Sequence, residues 1–93
     1  MNAWLKEIDG AKTAAEVVTT TRDYVSLWSP PELADFPADC RQIHIETQAD
    51  IPRISAKLAA ALARARERSQ NAERLDDLVS YLARASERLR ELG

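Results

Sequence analysis

The chain reads as an all-α domain, a small bundle of four to five helices ending in a long helical hairpin. Three observations predict it. Only two glycines and four prolines interrupt 93 residues dominated by Ala, Leu, Arg and Glu, the strong helix formers. Apolar residues recur three and four apart along most of the length, the period of one helix face. Ser or Thr followed three residues later by Glu opens two of the apolar runs, as a capping box does. At 93 residues the chain is one domain, 1–93, whose core is thin, because a domain this size buries only about 60–65% of its unfolded surface.

The elements follow in order. Trp4, Leu5 and Ile8 share one face of a short helix over about 2–9, with Asn2 placed to cap it and Gly10 to stop it. Thr13-Ala14-Ala15-Glu16 is a capping box, and Val17, Val18, Thr21, Tyr24, Val25 and Trp28 carry a second helix over about 14–28. Its β-branched stretch from Val17 to Thr21 is a weak helix former, but the cap and the spacing outweigh it. In Trp28-Ser29-Pro30-Pro31-Glu32-Leu33, Ser29 suits the N-cap, Pro30 the first helical position and Glu32 the return bond of a second box. Trp28 and Leu33 hold the staple positions, and a short helix over 30–35 stops near Pro37. From Phe36 to Glu46 the pattern is irregular. Ile43-His44-Ile45 alternates as a strand would, yet no partner strand exists, so it reads as a loop pinned by its apolar side chains.

Two further stripes complete the chain. Ile51, Ile54, Leu58, Ala61, Leu62 and Ala65 line a helix over about 51–68. Leu75, Leu78, Leu82, Ala85, Leu89 and Leu92 follow in heptad spacing over about 71–92, with Val79 and Tyr81 flanking the seam. A turn at Ser69-Gln70-Asn71 makes these a hairpin. Basic Arg64, Arg66 and Arg68 before it and acidic Glu73, Asp76 and Asp77 after it suit a helix end and a new helix start. The alternative is one continuous C-terminal helix of about 40 residues, near 60 Å long, because the apolar register also threads unbroken through this segment. The expected core is Trp4, Leu5, Ile8, Val17, Val18, Tyr24, Val25, Trp28, Leu33, Ile54, Leu58, Leu62, Leu75, Leu78, Leu82 and Leu89.

Composition also bounds function. No stretch reaches the roughly 18 apolar residues of a membrane span, and Met1 to Glu7 lacks the basic and apolar regions of a secretory signal. The single cysteine, Cys40, cannot form an internal disulfide, as expected of a cytoplasmic protein. Gly10 and Gly93 are the only glycines, so no phosphate-cradling loop is present. Cys40 and His44 stand four apart, but a structural zinc site needs four ligands and the chain has no other Cys or His. Glu73, Asp76 and Asp77 are dipole complements of a helix start. The expectation is no catalytic residue, no cofactor and no metal.

Charge is uneven, with four basic and nine acidic side chains in residues 1–50 against nine basic and six acidic in 51–93. Arg53, Lys57, Arg64 and Arg68 fall within about 60° of one another on a helix and form a basic stripe that could contact phosphates. The sequence pI of about 5.4 and the absence of interleaved aromatics favour a solvated face, partly paired with the acidic half. The functional expectation is a non-enzymatic helical protein-interaction or structural module, self-associating as a homodimer or docking a protein partner. Its contact surface is expected at Leu78, Val79, Leu89 and Leu92, since the short N-terminal helices offer little cover for the end of the leucine stripe. The alternative is nucleic-acid binding through the Arg53 to Arg68 stripe.

Overall fold

A helix start leaves amides without an intrahelical partner, and a side chain nearby can accept them. α1 spans Ala3–Gly10, α2 Ala14–Ser26, α3 Asp50–Arg68 and α4 Glu73–Leu92, with 3₁₀ turns at Pro30–Leu33 and Ala38–Cys40 between α2 and α3. A computed structural model describes residues 3–68 and 73–93, with their side chains except those of Arg68 and Glu73. No strand occurs among the described residues. The expected cap at Asn2 and the expected turn at Ser69-Gln70-Asn71 lie outside them.

The first capping box forms with a change of partner. Thr13 Oγ1 accepts from the Glu16 amide at 3.2 Å, but the Glu16 carboxylate reaches one residue further back, to the Lys12 amide at 2.7 Å. The second closes on Glu32 Oε1, which accepts from both the amide and the hydroxyl of Ser29 at 3.1 and 3.0 Å. The element it opens is shorter than the expected 30–35 and is 3₁₀ rather than α. Pro30 and Pro31 supply no amide, so the turn is held by i to i+3 bonds such as Ala34 N–H to Pro31 C=O at 3.3 Å. One half of a third box, not anticipated, stands at the start of α3. Asp50 accepts from the Thr47 amide at 3.0 Å and the Glu46 amide at 2.9 Å.

The ends differ from expectation by one or two residues. Gly10 lies inside the last turn of α1 and adopts no positive φ, so it is not a left-handed stop. The Ala11 carbonyl just beyond is instead taken by Arg88 at 2.6 Å. α2 ends at Ser26 rather than Trp28, where Leu27 and Trp28 turn their amides back onto the carbonyls of Tyr24 and Val25 at 3.1 Å.

α4 is the spine. α3 packs along one side of it, and α1 and α2 along another. α3 and α4 form the expected hairpin. Arg66 pairs with Asp76 at 2.9 Å near one end, whereas residues ten apart in one straight helix stand about 15 Å apart. At the other end the start of α3 and the finish of α4 line one hollow through Ala49, Pro52 and Leu89. The longest dimension of the molecule, 38 Å, is too short for a continuous helix of about 60 Å.

The core runs along α4 from Leu75 to Ala85. Leu75, Leu78, Leu82 and Ala85 are at most 1% exposed, and Ile51, Ile54, Leu58, Ala61, Leu62 and Ala65 bury the facing stripe of α3. Tyr24 of α2 stacks on Tyr81 of α4 with ring centroids 3.9 Å apart, and the rings of Trp4 and Trp28 meet Tyr24 edge-on. Phe36 and Ile45, absent from the expected core, are buried and pin the connection between α2 and α3. Trp4, Leu5, Val18, Trp28 and Leu89 lie at its edge, half-buried.

Candidate functional site

The sequence pointed to three places, and the structure separates them. The first is the leucine stripe. Leu78 and Val79 are buried, at 0% and 8% exposure, so they are not surface residues; α1 and α2 pack on the side of α4 that α3 leaves open. Leu89 and Leu92 remain half-buried, in the last turn of α4. Leu89 borders a hollow with Ala49 and Pro52 at the start of α3. Across Gln48 a second hollow is lined by Ala14, Ala15 and Val18 at the start of α2. One end of the bundle thus carries small and aliphatic side chains over two helix starts and one helix finish.

The second place is the basic stripe, which lies along the exposed side of α3. Arg53 is tied to Asp50 at 3.1 Å. Lys57 donates to the Asp39 carbonyl at 3.0 Å and lies 3.7 Å from its carboxylate. Arg64 is exposed and has no ion-pair partner among the described residues. The Arg68 side chain lies outside them. The stripe therefore exists as geometry, but two of its cations already face acidic or carbonyl oxygens supplied by the N-terminal half.

The third is Cys40 and His44, which line one small hollow of about 170 Å³ with Lys57. Burial, and next the Asp39 carboxylate beside it, push the Cys40 thiol up, with Sγ 3.8 Å from Asp39 Oδ1. A nucleophilic thiol needs the opposite shift. No group of three or more His, Cys, Asp or Glu residues able to hold a metal ion occurs among the described residues. No helix among them is long and apolar enough to cross a membrane.

Electrostatics elsewhere fix the frame. Arg84 bonds Asp9 at 2.7 Å and reaches Glu91, and Arg88 bonds both the Ala11 carbonyl and Glu91. These contacts lock the turn after α1 onto the C-terminal half of α4. The bonds from Arg84 and then Arg88 hold the Glu91 carboxyl below its usual range. At the opposite end Arg74 bonds Glu32 at 2.8 Å and lies over the Trp28 ring at 5.6 Å, closing the proline corner onto α4.

One cavity was not anticipated. A cleft of about 310 Å³ opens between the C-terminal half of α2 and the segment 41–46, and Arg22, Arg41, Trp28 and His44 line it. Sequence spacing could not assemble it, because Arg22 and Arg41 belong to segments joined only through the proline corner. Comparison with protein-family models, curated proteins and solved structures finds no match to this chain.

Proposed function

We propose that this domain is a non-enzymatic interaction module that pairs with a second copy of itself through the bundle end at Leu89 and Leu92. One observation carries the reading: the same leucine stripe that is sealed at Leu75, Leu78 and Leu82 is left half-open at its last two positions. Exposed leucines cost solubility unless a partner covers them. The end is also self-complementary. It combines the positive starts of α2 and α3 with the negative finish of α4, and it bears Glu46 beside one hollow and Arg90 beside the other. A twofold contact needs such a patch, since each surface meets its own copy.

The size of the face sets the strength. Its cross-section is at most 26 × 20 Å, about 500 Å² on each copy, below the roughly 800 Å² per partner of a standard stable interface. The dimer is therefore weak and concentration-dependent. The lone, buried, protonated Cys40 suits a cytoplasmic setting. Sedimentation over a concentration series tests the proposal: the wild type dimerises and Leu89→Asp stays monomeric with its helices intact. A strictly monomeric wild type whose Leu89→Asp variant unfolds would remove it. Duplex binding by the Arg53, Lys57, Arg64 and Arg68 face is the competing reading, and the Asp50 and Asp39 contacts weigh against it.

A further inference from the structure

We propose that the cleft between α2 and the segment 41–46 binds a small ligand through a carboxylate or phosphate group held by Arg22 and Arg41. The cleft is separate from Leu89 and Leu92, and its volume of about 310 Å³ lies at the lower bound of ligand pockets, roughly 300–1,000 Å³. It is too small to seat a folded partner and large enough for an anionic group with a compact apolar body.

Its floor is apolar and fixed. Val25, Leu33 and Ile45 line it and are buried in the core, so the walls do not depend on a ligand for their shape. Its cations are of two kinds. Arg41 spends Nε on the Phe36 carbonyl at 2.9 Å and one NH2 donor on the Ala34 carbonyl at 3.0 Å. Those bonds hold the guanidinium in place before any ligand arrives, which lowers the ordering cost of binding. Arg22 has no hydrogen-bond or ion-pair partner among the described residues. Two guanidinium groups thus line one cleft, with the Glu46 carboxylate also in its lining. An anion seated there can accept from both forks, and a bidentate guanidinium contact is the strong form of that bond. The Trp28 indole offers the ligand an apolar wall, and Glu46 at the rim disfavours a second negative group.

The full chain tests this by amide NMR and tryptophan fluorescence during titration with inorganic phosphate, acetate, phenyl phosphate and benzoate. The expected result is saturable one-to-one binding with shifts confined to Arg22, Trp28 and residues 41–46, weakened by added salt. The aromatic probes bind more tightly than their inorganic or methyl counterparts, and the order of phenyl phosphate and benzoate identifies which anion the cleft takes. Arg22→Gln loses about tenfold or more, the worth of one charge-assisted contact, with an unchanged melting temperature. Arg41 also braces the corner, so Arg41→Lys is its variant, keeping the charge and losing the fork. Glu46→Gln binds more tightly. Unsaturable shifts spread over Arg53, Lys57 and Arg64, or an Arg22→Gln variant that binds as well as the wild type, would overturn the proposal.

Discussion

If the leucine end is a contact surface rather than core, aspartate at Leu82 and at Leu89 must have opposite consequences. Leu82 is 0% exposed in the middle of α4. Truncating such a leucine costs about 2–5 kcal/mol, and leaving an unpaired carboxylate in its place adds several more. A domain of 93 residues has about 5–14 kcal/mol of total stability, so Leu82→Asp removes most or all of it. Leu89 is half-buried, so losing its apolar burial costs about 1 kcal/mol. An acidic group in the last turn of α4 adds about 0.3–1 kcal/mol against the helix dipole. The melting temperature should then fall by about 4–8 °C per kcal/mol, with the fold retained. Association responds the other way. Each twofold contact contains Leu89 twice, and at about 1.4 kcal/mol per copy the dimer weakens by about a hundredfold. Circular dichroism melting and sedimentation read the two quantities separately, and Leu89→Gln repeats the test without the charge. The reasoning fails if Leu89→Asp melts as early as Leu82→Asp, for then the end is sealed core.

Three other outcomes are expected. Bonds from the Glu46 and Thr47 amides, and then Arg53, hold the Asp50 carboxyl at about 2 against the usual 3.8. A depressed acid contributes stability above the unfolded value that is lost as pH falls through the folded one, so the melting-temperature gap between wild type and Asp50→Asn should close between about pH 4 and pH 2; a constant gap would deny Asp50 its capping role. The buried Tyr81 and Thr21 hydroxyls lie beside each other without meeting full hydrogen-bond geometry, and burial pushes the Tyr81 phenol far up, offset in part by Thr21. Tyr81→Phe should therefore raise the unfolding free energy by about 1 kcal/mol, whereas a loss in chemical denaturation would reveal a hydroxyl that is paired in solution. On the basic face, duplex DNA should not bind at physiological salt, and Arg64→Ala should change nothing; binding whose log-salt slope drops by about one unit in that variant would favour the nucleic-acid reading.

The helices were legible because their determinants are local. Thr13 with Glu16 and Ser29 with Glu32 stand three apart, so each box declares its helix start without reference to the rest of the chain. Thr47 and Asp50 stand three apart as well, but the apolar stripe, which begins at Ile51, drew the boundary one residue late. The face of α3 that carries Arg53, Lys57 and Arg64 also followed from helical period alone. What those cations meet did not, since Lys57 finds Asp39 eighteen residues away.

The rest belonged to tertiary structure. Heptad spacing treated Leu78, Leu82 and Leu89 as equivalent, but only the lengths and angles of α1, α2 and α3 decide that the first two are sealed and the third is an edge. Tyr81 stood beside the seam, yet it is 1% exposed because α2 crosses there and lays Tyr24 against it. The bonds from Arg84 to Asp9 and from Arg88 to Ala11 join residues 75 and 77 apart, a separation at which spacing carries no information. The cleft between Arg22 and Arg41 exists because the proline corner turns one segment back over the other. Periodicity determines which face of a helix is apolar. Which part of that face is covered depends on where the neighbouring helices end, and that is set by packing between segments far apart in the chain.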